Sequence, residues 1–182
     1  MKLRIKGINI IIDYYFIAVL TLVTIVTGKE SIIYCFLFCL LHESGHLIAM
    51  IVLREKVRGV RLGYFGMKIE CHNSLIPAKH DIIISFAGPA INLILAIIFY
   101  LYGKSELANM NFALAMFNLI PIQMLDGGRI LSHFVSLDVT RNVGIICGIL
   151  LTVFGIATAV LTKSNIIILI VSLYVLIGAI RQ

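Results

Sequence analysis

One short stretch combines residues that can do chemistry, because His42, Glu43 and His46 stand at the spacing H-E-x-x-H. On a helix the two histidines are one turn apart and share a face. Two imidazoles at this spacing can hold one zinc ion, and the neighbouring glutamate can take a proton from a water molecule. The pattern predicts a catalytic zinc site. Because a three-residue match also arises by chance, the setting of the motif in the chain carries weight.

That setting is apolar throughout. The chain has 182 residues, of which 60% are hydrophobic and 13% are charged, and its mean hydropathy is +1.06. A soluble domain of this size does not need so much apolar surface, so the composition indicates an all-α polytopic membrane protein. Ionisable groups inside a membrane span are costly and indicate a functional site. We expect one domain over residues 1–182.

Six apolar segments, each near the ~20 residues that a bilayer requires, predict about six transmembrane helices. They are Ile8–Val26, Ile32–Leu53, Ile82–Tyr102, Ala108–Leu125, Val143–Leu161 and Ile166–Ile180. Of the fifteen Lys and Arg residues, all but Lys29, Lys104 and Lys163 then fall on one side. Since positive residues favour the inner side, both termini are predicted to be cytoplasmic. The net charge of +6 is therefore no sign of nucleic-acid binding.

A third zinc ligand is predicted at Asp126, because a catalytic site needs three protein ligands and one open position. Asp126 follows Pro121, which should break the fourth apolar segment, and precedes a glycine pair. On a straight helix Asp126 would lie nearer the inner surface than His42. Reaching the metal requires irregular backbone after Pro121, which a membrane protein tolerates only inside protein or a water-filled cavity. Alone, the Asp-Gly-Gly sequence would read as an ordinary turn.

A second polar group lies deep in the third segment, within Gly88-Pro89-Ala90-Ile91-Asn92. Proline in a span frees a carbonyl group, and glycine permits a close helix approach. These residues alone would indicate a harmless kink. However, Asn92 and Glu43 each lie eleven residues from a charged residue at the inner boundary, roughly 16 Å deep. The shared depth favours a shared site.

The residues between the second and third segments have strand character. Val57–Cys71 alternates between apolar and polar residues around Gly63 and Gly66, which predicts a small β-hairpin. Bare strands do not occur in lipid, so it should lie at the inner surface or line a cavity, where its edge can pair with an extended substrate. A surface loop with chance alternation is the alternative.

Other residues that bind metals in some proteins are expected to have packing roles or to be exposed to solvent. Cys39 falls on the same helical stripe as His42 and can be a soft ligand, but a packing role between helices is favoured. The four cysteines form no C-x-x-C pair. His72, His80 and His133 lie near the inner loops and are expected to be solvated. The last two segments carry Gly144, Gly148 and Gly155, which favour close helix packing.

Together, the three motifs H-E-S-G-H, G-P-A-I-N and N-L-I-P-I-Q-M-L-D-G-G resemble the site-2 protease family of intramembrane zinc metalloproteases. The resemblance covers about Ile32 to Leu131. Within the family the chain looks most like the stage IV sporulation factor type, as the pattern from Arg58 to Glu70 suggests. It implies His42, His46 and Asp126 as zinc ligands and Glu43 as the base. The substrate-positioning residues that it implies are Asn118, Asn92, Gly88, Pro89 and Pro121.

The resemblance also implies partners and a location. It implies a membrane-associated protein substrate, such as a sporulation pro-sigma factor, and allows for membrane inhibitor proteins, in a bacterial cytoplasmic or sporulation membrane. The chain shows neither the nucleotide-sensing domain common after the last span in the sporulation type nor a PDZ insertion. A small transporter or metal permease would also use intramembrane His and Asp residues but leaves the position of Glu43 unexplained. A non-catalytic membrane scaffold explains none of the motifs.

Overall fold

The computed structural model describes residues 2–5, 8–12, 31–55, 57–63, 66–71, 76–162 and 166–181. The chain divides into two compact units, Met1–Ala115 and Met116–Gln182. The single domain expected from the sequence stays a prediction.

Two long helices, α1 (Ser31–Val52) and α2 (Ala78–Leu101), form the helical part of the first unit. They touch so closely that a Cβ at Gly45 would lie 2.7 Å from the carbonyl oxygen of Ala87. Towards the start of α1 and the end of α2, the rings of Phe38 and Phe99 pack with their centroids 5.6 Å apart. Small residues permit this approach where helices lack a hydrophobic driving force to associate. The helix α3 (Ser105–Asn118) follows after a short turn.

The lower ends of α1 and α2 are joined by a polar contact. His80 Nδ1 lies 2.6 Å from Glu55 Oε1, so this histidine has a carboxylate partner as well as partial exposure to solvent. Glu55 comes directly after the turn that ends α1. The contact ties that turn to the first turn of α2.

Four short strands form a sheet in the first unit, in the order β1 (Lys2–Ile5), β2 (Ile8–Ile12), β3 (Val57–Gly63) and β4 (Gly66–Cys71). The β1–β2 and β3–β4 pairs are antiparallel, and the β2–β3 pair is parallel. The stretch predicted as a hairpin thus holds β3 and β4. Because β2 covers one side of β3, β4 is the open edge of that pair among the described strands.

The second unit is built around two packed helices, α5 (Leu137–Thr162) and α6 (Ile166–Arg181), preceded by the short α4 (Asp126–Leu131). Gly148 lies against the backbone of Leu176, and Gly155 against Leu169, so both fill the packing role that the sequence indicates. The guanidinium of Arg141 donates to the carbonyl oxygen of Ile180 and caps the end of α6.

The count of six spans is not confirmed. Among the described residues, three helices are long and apolar enough to cross a membrane: Ser31–Val52, Ala78–Leu101 and Leu137–Leu161. The predicted first span begins with strand β2 instead, and its residues 13–26 lie outside the described part. The predicted fourth span is wrong in length, because α3 has 14 residues and ends at Asn118, before Pro121. The sixth is an apolar helix of 16 residues.

The helices α1 and α2 end in the same turn with different residues at its left-handed position. The Glu55 N–H donates to Met50 O and the Arg54 N–H to Ile51 O, with Arg54 at a φ of 59°. At the end of α2 the equivalent position is Gly103, at a φ of 70°. Only glycine adopts this conformation without strain.

We therefore predict that Arg54→Gly stabilises the protein by about 1 kcal/mol and that Gly103→Arg destabilises it by a similar amount. Thermal unfolding of the purified protein in detergent measures both changes. An unchanged or lowered midpoint in Arg54→Gly would show that the arginine side chain contributes more than its backbone strain removes.

Candidate metal centre

The two motif histidines lie on the buried face of α1, and their imidazoles converge. His42 is 5% exposed and His46 is 7% exposed. Their Nε2 atoms are 3.2 Å apart, with the rings nearly perpendicular at 86°. Two nitrogens bound to one tetrahedral zinc, each at ~2.0–2.1 Å, would be about 3.3 Å apart. The pair is therefore already at the separation that a shared zinc ion requires.

A backbone carbonyl of α2 fixes the tautomer of His46. His46 Nδ1–H donates to Ile84 O at 2.6 Å, which leaves the lone pair on Nε2, the atom that points to His42. Metal-binding histidines commonly use the second ring nitrogen in this way. The contact orients the ring and, in the neutral imidazole, leaves Nε2 as the atom that can bind a metal ion.

Gly88 of α2 forms the wall against which both imidazoles rest. A Cβ there would lie 2.5 Å from His46 Nε2 and 2.8 Å from His42 Nε2. The sequence predicts Gly88 as a substrate-binding residue, whereas the structure places it behind the two candidate ligand atoms. Gly45, between the two histidines in the motif, brings α1 close enough to α2 for this contact.

Asp126 is the first residue of α4 and is 9% exposed. The irregular segment before it turns back on itself, so that the carbonyl groups of Leu119 and Ile120 lie where a side chain at Gly127 would be. Ile122, wholly buried, anchors this segment to Val175 and Ala179 of α6. The predicted unwinding is confirmed, but it begins at Leu119, ahead of Pro121.

Among the described residues, His42 and His46 of the first unit and Asp126 of the second are buried, and their side chains together offer the ligands that can hold a metal ion. Two imidazoles and one carboxylate suit zinc, and three protein ligands leave a coordination position open. Cys39 is outside this group, and its thiol contacts that of Cys35. The packing role between helices favoured for Cys39 stays a prediction.

The other predicted site residues lie on α1, on α2, at the end of α3 and in the segment that follows α3. Glu43 is half-buried on α1, between the two histidines in the chain. Asn92 is wholly buried one turn beyond Gly88, and neither of its amide atoms has a hydrogen-bond partner in the described part of the chain. Pro89 is buried inside α2, Asn118 is the last residue of α3, and Pro121 lies in the irregular segment.

Sequence reasoning missed the contributions of Gly45 and of the Ile84 carbonyl group. The glycine in H-E-S-G-H was visible, but its effect depends on which helix packs against it. A backbone carbonyl leaves no trace in the sequence at all. Both features arise from the contact between α1 and α2.

We predict that Gly88→Ala weakens zinc affinity by at least about tenfold, because the added methyl group must displace one or both imidazoles. Competition with a chromophoric chelator measures the affinity. Gly144→Ala is the matched control, since a Cβ there meets nothing closer than 3.5 Å. Equal zinc affinity in the two variants would contradict the packing described for Gly88.

Comparison with known proteins finds that this chain is similar to peptidases. A family model described as peptidase family M50 matches residues 105–162. A zinc metalloprotease from Methanocaldococcus jannaschii is 29% identical over 206 residues, covering 97% of this chain and 58% of that protein. The chain thus spans little more than half the length of this curated relative.

A solved structure, the site-2 protease from Methanocaldococcus jannaschii, superposes with a TM-score of 0.69 at 26% identity. The match covers 100% of this chain and 94% of that one. With its membrane-length helices, the chain is a membrane protein. By these comparisons the chain is similar to peptidase family M50 over residues 105–162, to a curated zinc metalloprotease and to a solved site-2 protease.

Proposed function

We propose that this chain is an intramembrane zinc metalloprotease that hydrolyses a peptide bond in or near a membrane segment of a protein substrate. The observation that carries the proposal is the convergence of His42 and His46 Nε2 atoms at 3.2 Å inside an apolar helix pair. A buried histidine pair on a membrane-length helix needs a reason, because polar groups in that setting are costly. A bound zinc ion would account for the buried histidine pair.

The roles of the residues follow from their chemistry. His42, His46 and Asp126 would hold the ion, which when bound polarises the scissile carbonyl and makes water nucleophilic at neutral pH. Glu43 accepts the proton of the attacking water and transfers it to the leaving amine nitrogen, so that one C–N bond breaks as one C–O bond forms. Asn118 donates to the scissile carbonyl oxygen or holds the substrate backbone.

The substrate must meet these residues in an extended form, since a helix hides its backbone groups. The open edge of β4 supports strand pairing as the means of holding it, because β2 leaves β3 no free side. Proline replacements along β4 would then reduce cleavage where they remove an outward N–H group and leave zinc content unchanged. If every such replacement were neutral, strand pairing would be the wrong mode.

The finer proposal is that the substrate is a regulatory pro-protein, such as a sporulation pro-sigma factor, in a bacterial cytoplasmic membrane. The pattern from Arg58 to Glu70 supports it. Co-expression of the chain with membrane-tethered pro-proteins tests it.

Both termini are proposed to be cytoplasmic because of the charge asymmetry. A cysteine at Lys104 should then react with an impermeant thiol reagent added to intact cells, and no reaction there would invert the orientation.

We predict that Glu43→Gln slows cleavage by at least about a hundredfold while zinc stays bound, because the amide keeps the shape of the side chain but accepts no proton. The assay is cleavage of doubly tagged single-span proteins by the purified enzyme, with zinc measured by mass spectrometry. Removal of zinc with a chelator should also stop cleavage, and added zinc should restore it.

The matched control is Glu106→Gln, an exposed glutamate in the first turn of α3. It should cleave at the unmutated rate. Cleavage by Glu43→Gln at the control rate would contradict the mechanism. A transporter would give a different result, because Glu43→Gln would then alter metal uptake and no variant would cleave the test proteins.

A further inference from the structure

Two thiols on α1 take no part in the metal centre or in the cleavage steps proposed above. Cys35 and Cys39 stand four residues apart on this helix, so they share one face, and their side chains contact each other. Neither belongs to the set of side chains that offers ligands to the zinc ion. The two thiols are therefore a separate cluster of soft ligand atoms.

Packing between helices does not account for both members of this pair. Cys39 is half-buried, but Cys35 is exposed. An exposed side chain gains little from packing inside the protein. A free cysteine behaves as a small apolar residue, and what distinguishes it from one is its reactivity, which includes the binding of metal ions. The contact between the two thiols therefore calls for a chemical explanation.

The exposed thiol can be reached from the end of the helix at which α1 begins. Cys35 lies in the second turn of α1, about 6 Å along the axis from Ser31. A hollow of about 510 Å³ lies at the same end, and Tyr34, Gly103 and Lys104 are among the residues that line it. Because Tyr34 directly precedes Cys35, an ion that arrives through this hollow meets Cys35 before it reaches the buried histidine pair.

The number and softness of the ligands select the ion. In the described part of the chain, no third His, Cys, Asp or Glu completes a ligand group with Cys35 and Cys39. Structural zinc takes four ligands, whereas soft thiolates favour Cu(I), which two of them can bind in a line. With about 2.3 Å for each metal–sulfur bond, the two sulfurs would be about 4.6 Å apart. Since Cβ atoms at this helical spacing are about 5–6 Å apart, side-chain rotation alone can provide that separation.

We propose that Cys35 and Cys39 form a second metal site, which binds one Cu(I) ion between two thiolates. Each thiol releases its proton to solvent as its sulfur forms one bond to the ion, and copper stays in the +1 state. The site is separate from the zinc ligands and does not depend on the proposed function. A chain that cleaved no substrate would bind the ion equally well.

The test measures binding to a chain in which these two thiols are the only cysteines. The full chain has four cysteines, so Cys71→Ser and Cys147→Ser together give this parent protein. It is purified in detergent under argon and loaded with one equivalent of zinc, so that the histidine pair is occupied. Cu(I) is then titrated in competition with bicinchoninate, a chromophoric chelator. Cys35→Ser and Cys39→Ser are each added to the parent and titrated in the same way.

We expect the parent to bind one Cu(I) ion and either added serine to weaken the affinity at least about a hundredfold, because one thiolate cannot form the two-sulfur site. X-ray absorption at the copper edge should show two sulfur neighbours in the parent. Zinc content and thermal unfolding show whether each variant is folded, and Cys39→Ala repeats the measurement if Cys39→Ser is not. Equal Cu(I) affinity in the parent and the serine variants would overturn the proposal, and so would a parent that binds no Cu(I).

Discussion

The arrangement of the histidine pair depends on the close contact between α1 and α2. A Cβ at Gly45 would meet the Ala87 backbone, and a Cβ at Gly88 would meet the imidazoles, so no larger residue fits at either position. This contact places Ile84 O within 2.6 Å of His46 and sets its tautomer. The two Nε2 atoms lie 3.2 Å apart. Small residues therefore govern the chemistry here as much as the polar ones do.

Several polar side chains of the helices are buried, among them His46, Asn92 and Asn111. In an apolar environment each one needs a partner, and the structure supplies it for His46 and for Asn111 Nδ2 through backbone carbonyls. The amide atoms that stay unpaired in the described residues lie on Asn92 of α2 and Asn111 of α3.

Local spacing was enough to predict the histidine pair, because His42 and His46 are on one helix and share a face whatever packs around them. The prediction of Asp126 as the third ligand came from its motif. Pro121 correctly indicated a break in the helix, although the helix ends three residues earlier, at Asn118. The sequence predicts Ile8–Ile12 as the start of a span, whereas it forms strand β2. A five-residue segment of four isoleucines and one asparagine fits a strand and a helix equally well, and only pairing with β1 and β3 decides between them. The role of Gly88 depends on a neighbouring helix and has no local signal.

The central claim is that two imidazoles and one carboxylate hold a zinc ion, and X-ray absorption at the zinc edge tests it most directly. Purified protein loaded with one equivalent of zinc should show only nitrogen and oxygen neighbours at ~2.0–2.2 Å, with the outer-shell scattering of two imidazoles. Sulfur at ~2.3 Å would instead mean that Cys39 binds the metal. A spectrum with fewer than two imidazoles, or zinc that does not bind at one equivalent, would contradict the account.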